Sequence, residues 1–287
     1  MKIKKLTLKT KIYPSEQTDY LLYIQSSKAT KTDRPVTAAY NIITSPLSII
    51  LHLALKLMLK TQLSYKNAKE LKTGINYTWR IDNSTDLVHK LHNLNKNINH
   101  TPKTVQTFDI EGFYDNIDLP ELEKIIQIFT PKCFKIENKK YITINTQFKK
   151  AQWSNTIRNT KTIITLNENQ IIQLQNWQLN NATIQYNNKT WKQIKGIAQG
   201  TNQSPDLADI ILGHYEHEFM KHHKKQKNTN IINIFNNTTR KMDDILCINN
   251  DIINEWIYID ENQPHEIYPK KYFTITSEQT KPTNEVN

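Results

Sequence analysis

Phe108-Asp109-Ile110-Glu111-Gly112-Phe113-Tyr114-Asp115-Asn116-Ile117 is the stretch on which the reading of this chain turns. Val105 to Ile110 is a short buried strand by pattern, with a carboxylate at its end. A carboxylate in such a place costs desolvation energy unless something pairs it. Pro120-Glu121-Leu122-Glu123 then opens a helix, with acidic residues in the first turn where the helix dipole favours them. A related pattern returns far downstream. Arg240-Lys241-Met242-Asp243-Asp244-Ile245-Leu246-Cys247-Ile248 reads as a hairpin with an acidic pair at its turn and an apolar strand after it. No Arg is placed to pair these carboxylates, so a divalent cation is the simplest compensator, and Mg²⁺ takes a few carboxylates with waters and phosphates. Two such ions roughly 3.5–4 Å apart clamp the attacking and leaving oxygens of an in-line phosphoryl transfer. Taken singly, an Asp-Asp pair is also a turn former and a strand-end Asp a cap.

The surrounding composition narrows the choice. The 287 residues suit one large domain or two small ones and are enough to bury a core. There are 38 Lys+Arg against 27 Asp+Glu, a net charge of +11, which fits a polyanionic partner or an AT-rich coding bias. Only four cations are arginines, Arg34, Arg80, Arg158 and Arg240, and each carries weight because Lys cannot replace the bidentate fork. Two cysteines, Cys133 and Cys247, exclude a disulfide framework or a Cys-rich zinc site and fit a reducing, intracellular compartment. Met1-Lys-Ile-Lys-Lys has no apolar run behind it and is no signal peptide. The longest apolar stretch, Leu47 to Met58, is too short and too charged to span a bilayer, so no membrane partner is expected.

Along the chain, residues 1–45 read as short strands and turns. Pro46 opens a core helix carried by Leu47, Ile50, Leu51, Leu55 and Met58. Residues 60–82 are polar and poorly patterned; Ser84-Thr85-Asp86 caps another helix. Residues 131–165 are weakly patterned, a helix follows at about 167–179, and Ala182 to Trp191 is a hairpin turning at Asn187-Asn188. Leu207 to Met220 is helical, and Lys221 to Asn237 is a Lys/Asn-rich connection.

Three segments in order carry a resemblance. The stretch from Phe108 to Ile117, then Gln199-Gly200-Thr201-Asn202-Gln203-Ser204-Pro205, then Met242-Asp243-Asp244 resemble motifs A, B and C of reverse transcriptases, in the flavour of the Penelope-like, telomerase-related branch. Lys28, Lys31 and Arg34-Pro35-Val36 resemble the fingers segment. The resemblance spans about residues 20–287. It implies an α/β (α+β) right-hand polymerase core, with an antiparallel palm sheet packed on helices. Residues 1–104 would be an N-terminal fingers region with connecting helices, and 105–287 a palm with a fingers insertion at about 119–195. No thumb is read.

By the same resemblance, Asp109, Asp243 and Asp244 are the catalytic carboxylates. With the Ile110 carbonyl they hold two Mg²⁺ ions, Mn²⁺ being the alternative. Tyr114 is the steric gate where a ribose 2′-hydroxyl would lie, Gln199 and Gly200 support the incoming nucleotide, and Lys28, Lys31 and Arg34 grip its triphosphate. The implied activity is RNA-directed DNA synthesis with an RNA template, a DNA primer and dNTPs, in the nucleus if the element is eukaryotic. Lys241 departs from the family, standing where an aromatic residue is usual; an ammonium there would repel metals or pair with an Asp. A palm that binds nucleic acid without turnover, or an RNA-directed RNA polymerase, are the other readings. His214, His217 and Glu218 share a helical face and invite a zinc site. Trp153, Trp177 and Trp191 could pack in the core or stack on bases.

Overall fold

Alternation along one strand sets the architecture. In β1 (Val105–Glu111), Phe108 and Ile110 are buried, so Asp109 between them faces the other side of the sheet. The computed structural model describes residues 45–97, 104–186, 189–198, 200–257 and 266–278. Within these, α1 (Ser45–Thr73) begins with Pro46 in its first turn and buries Leu51, Ala54, Leu55, Met58 and Leu59. It runs well past the apolar stretch, through residues whose polarity argues against a core helix. Those polar groups find buried partners: Thr61 donates to Glu137 Oε1 at 2.7 Å, and Lys66 Nζ donates to the Gly213 carbonyl at 3.3 Å. At this length α1 is apolar enough to cross a membrane by length and composition alone, contrary to the sequence expectation. Its packing against α4, α5 and α6 makes it a core helix here.

In α2 (Ser84–Asn97) the cap is Asn83 rather than the Ser84-Thr85-Asp86 signal: Asn83 Oδ1 accepts from Asp86 N at 2.9 Å, and Asp86 Oδ2 accepts in return from Asn83 N at 3.2 Å. A turn through Gly112 leads from β1 into α3 (Phe113–Asn116). Asp118 caps α4 (Leu119–Glu137) by accepting from Glu121 N. The weakly patterned stretch after it is ordered as β2 (Tyr141–Asn145), β3 (Lys150–Ser154) and β4 (Ile163–Leu166), an antiparallel sheet in the order β3-β2-β4. Ile142 sits opposite both Trp153 and Leu166, and Trp153 packs edge-on against Phe134 of α4 and donates to Thr61 of α1. Strands this short, with Thr143 of β2 buried between Ile142 and Ile144, leave little apolar alternation to read.

A capping box at Asn167 starts α5 (Glu168–Asn180), and β5 (Thr183–Tyr186) pairs with β6 (Lys189–Lys192) as the expected hairpin. The long α6 (Ser204–Lys225) extends past Met220, and the Lys/Asn-rich connection contains α7 (Thr229–Phe235), which buries Ile232 and Phe235. Then follow β7 (Thr238–Lys241), β8 (Asp244–Ile248), α8 (Ile253–Ile257) and β9 (Thr274–Glu278). The main sheet has the order β7-β8-β1-β9, with every neighbouring pair antiparallel. Phe108, Ile110, Ile245, Cys247 and Ile275 join the core shared with α1, α4 and α6. Both cysteines are free and buried.

Candidate active site

The register of the main sheet brings the two acidic segments together. Val105 to Phe108 pair with Ile248 to Ile245, so β1–β8 pairing ends one residue before Asp109 on one side and Asp244 on the other. Lys241 pairs with Asp244 to close the β7–β8 hairpin, which leaves Met242 and Asp243 as its turn. Carboxylate oxygens of Asp109, Asp243 and Asp244 come within 4.8 Å of one another, from segments far apart in the chain. Asp109 and Asp243 are half-buried and Asp244 is exposed. None of the three forms an ion pair among the described residues. Burial, and after it the charges of Asp109 and Asp244, push the Asp243 carboxyl above its ordinary range. Three mutually repelling carboxylates with no protein cation fit a divalent metal, as the sequence suggested. Lys241 is exposed and likewise in no ion pair among the described residues, although it is the cross-strand neighbour of Asp244.

The turn that carries Asp243 is held from below. Met242 sits in the left-handed region (φ 57), an unfavoured place for a side chain of its kind. Arg240, with no solvent exposure, donates from Nη1 to the Met242 carbonyl at 2.6 Å and to Asp209 Oδ1 at 3.0 Å, and its Nε donates to Glu216. Burial works against the Arg240 charge, but Glu216 and Asp209 outweigh it and hold its pKa above the ordinary value. Glu216, itself fully buried, also accepts from Tyr268 at 3.0 Å. Arg80 reaches the other oxygen of Asp209 at 2.8 Å, and the backbones of Arg80 and Arg240 form a parallel bridge, with Arg240 N donating to the Trp79 carbonyl. Of the network's members, sequence reading weighted only the two arginines, as members of a scarce residue type.

Tyr114 stands half-buried on α3, and burial, then Asp243, Asp209 and Asp206, push its hydroxyl up to about 12. Those neighbours place it on the same side as the carboxylates. Its backbone is fixed by the segment entering α6: Gly196 N donates to the Ile117 carbonyl, and Ile197 N donates to the Tyr114 carbonyl at 2.8 Å. Gly196 is required there, since a Cβ would lie 2.6 Å from the Tyr114 carbonyl oxygen. Downstream, Ser204 Oγ donates to the Ala198 carbonyl at 2.6 Å, closing the turn that leads into α6. Gly200 is exposed in that turn. Buried Asp206 in the first turn of α6 is 2.5 Å from His52 Nδ1. The Ile110 side chain is buried on the helix side of the sheet. Lys28, Lys31, Arg34 and Gln199 lie outside the described residues.

The histidine face of α6 does not resemble a zinc site. Among the described residues only the three aspartates bring ligand atoms together. His217 Nε2 is 3.3 Å from Lys132 Nζ, and burial together with Lys66 and Lys132 pushes its pKa down to about 2, surroundings that repel a cation. Trp153 is a packing residue, Trp177 is half exposed, and the Trp191 side chain lies outside the description.

No protein-family model and no curated protein matches this sequence. Solved structures do. Telomerase from Candida albicans, in complex with a TWJ fragment of telomeric RNA, aligns with a TM-score of 0.54 at 18% identity over 82% of this chain and 36% of its own. Apo telomerase from Candida tropicalis aligns with a TM-score of 0.52 at 16% identity over 80% of this chain and 36% of its own. The chain thus spans just over a third of the length of these neighbours, and it shares its fold with that part of them.

Two stability predictions follow from the buried charges. Arg240→Met should destabilise the protein by about 3–5 kcal/mol in urea unfolding, because it strands Glu216 without a partner; Arg240→Met combined with Glu216→Met should cost less than the two single changes summed. Equal and additive losses would mean the pair is not coupled. Burial pulls the Lys66 ammonium down from 10.5 to about 7. Between those values the unfolded chain binds a proton that the folded chain lacks, so this group makes stability rise with pH. Lys66→Met should flatten the rise between pH 7 and pH 9; an unchanged slope would contradict the assignment.

Proposed function

We propose that this chain is the fingers–palm portion of an RNA-directed DNA polymerase of the Penelope-like, telomerase-related kind. The observation that carries the reading is the meeting of Asp109, Asp243 and Asp244 at the open end of the β1–β8 pairing, on a fold shared with telomerase. Asp109 and Asp243 would hold two Mg²⁺ ions, with Asp244 as the third carboxylate and the Ile110 carbonyl beside them. Bound ions of this kind neutralise phosphate charge and ease ionisation of the attacking hydroxyl.

The chain's own residues supply positioning, which is most of what phosphoryl transfer requires. The primer 3′-oxygen attacks the α-phosphorus of a dNTP opposite an RNA template base, and pyrophosphate leaves. Arg240 and Met242 keep the Asp243 carboxylate at a fixed height against Asp109. Tyr114 packs where a ribose 2′-hydroxyl would lie, its ring braced against Phe113 at 5.4 Å. Gln199 and Gly200 are assigned, by the resemblance, to support of the incoming nucleotide and template base, and Lys28, Lys31 and Arg34 to the triphosphate.

Primer extension on an RNA template with dNTPs and Mg²⁺ tests this. Asp243→Ala should lower the rate by about 10³-fold or more, a loss of several kcal/mol in transition-state stabilisation. Tyr114→Gly should relax discrimination against ribonucleotides by about 10–100-fold while extension with dNTPs continues. Extension that survives Asp243→Ala would overturn the metal assignment, and unchanged discrimination would overturn the gate. Preferential use of rNTPs by the unaltered protein would indicate an RNA polymerase instead.

A further inference from the structure

The positive charge of this chain is not spread evenly. Residues 138–205, between α4 and α6, hold nine of the 38 Lys+Arg but only one of the 27 Asp+Glu, Glu168. An AT-rich coding bias raises Lys and Asn throughout a sequence; it does not clear carboxylates from one segment. The three-stranded sheet β3-β2-β4 and its flanking loops, residues 138–167, contain no carboxylate at all. Their six cations are Lys139, Lys140, Lys149, Lys150, Arg158 and Lys161, all exposed and none in an ion pair among the described residues.

The sheet has two unlike faces. Ile142, Ile144 and Trp153 turn toward α1 and α4. The register places Thr143, Gln152 and Thr165 in one row across the opposite face, with Asn145 and Lys150 in the next. Thr143 and Thr165 are buried there, bonded to each other and, through Thr165, to the Arg158 backbone, so what that face presents to solvent is Gln152 and Lys150, with no competing anion. Beside it, at the β2–β3 turn, Phe148 is 67% exposed and Lys149 holds a left-handed backbone (φ 48); Ile157 in the β3–β4 loop is 63% exposed. Exposed apolar side chains set among unpaired cations match a strand whose bases are free to stack and whose phosphates need neutralising. The segment returns to the candidate active site at its far end, where Lys195 Nζ donates to Asn116 Oδ1 at 3.1 Å and Ile197 pairs with Tyr114.

We propose that this lobe is a second nucleic-acid contact, a docking surface for single-stranded RNA outside the metal site. The cations neutralise backbone phosphates, and Phe148 stacks on a base. The inference rests on the polymerase reading only for the role of that strand, as template held on its way to the site; the binding surface itself stands on charge and exposure.

The test is fluorescence anisotropy with a labelled 20-nucleotide single-stranded RNA, over a salt series. The quadruple variant Lys149→Gln/Lys150→Gln/Arg158→Gln/Lys161→Gln should bind about 10-fold or more weakly at 0.1 M salt. The slope of log affinity against log salt should fall by about 3, from roughly 0.7 per lost phosphate contact. A control removing four exposed lysines elsewhere, Lys56→Gln/Lys60→Gln/Lys72→Gln/Lys225→Gln, should lower the slope by less than half as much. Phe148→Ala should weaken binding to the single strand more than to a duplex of equal length. Equal losses in the lobe and control variants would reduce the effect to net charge and overturn the inference, as would unchanged binding in the lobe variant. Failure of the polymerase reading would show in extension and failure of the docking surface in binding, so the two separate.

Discussion

A guanidinium sealed from solvent is the constraint on which this molecule depends. Arg240 enters the core at the last buried position of β7, where Nε and Nη1 find acceptors and Nη2 is left without one among the described residues. Glu216 and Asp209 of α6 provide carboxylates, and the Met242 carbonyl provides a third acceptor. Each acceptor ties a different element to the same point. Glu216 brings in Tyr268 from the segment before β9, and Asp209 brings in Arg80 from the segment before α2. Replacing the set with apolar side chains of similar volume could cost little stability. What it would lose is the direction in which the β7–β8 turn points.

That direction is where packing becomes chemistry. Strand alternation puts Phe108 and Ile110 into the core and so turns Asp109 outward; the hairpin turn puts Asp243 beside it. Among the described residues no cation forms an ion pair with these carboxylates, and burial, with the charges of Asp109 and Asp244, raises the Asp243 pKa. The same cluster that is unfavourable in the bare chain is the favourable arrangement around a divalent cation. Gly196 then brings the approach to α6 hard against the Tyr114 backbone, so α3 is fixed by the segment that enters α6.

The sequence made the centre of this arrangement legible and its supports obscure. Asp109 stood out as a carboxylate ending an apolar strand and Asp243 and Asp244 as an acidic turn before another, and it was the resemblance of their segments to motifs A and C that made them one set. The β1 strand, the β5–β6 hairpin and the acidic turn before β8 were readable from their residue pattern. The second half of α1 was not, since Thr61 and Lys66 look solvent-facing until Glu137 and Gly213 are known to lie opposite. The sheet β3-β2-β4 was missed because its strands are short and its outer face carries Thr and Gln rather than a clear polar contrast. Glu216 was invisible: a carboxylate in the middle of a helix gives no local sign that it faces an arginine 24 residues on. Scarcity of arginine was the one available hint.

The central claim is that Asp109 and Asp243 form a divalent-cation site on the open end of the β1–β8 pairing. The most direct measurement is a crystal of the protein soaked in Mn²⁺, with anomalous scattering recorded at the manganese edge. The account predicts a peak bridged by the Asp109 and Asp243 carboxylates, lost in Asp109→Asn. Peaks confined to other parts of the surface, with none between these two carboxylates at saturating Mn²⁺, would contradict it.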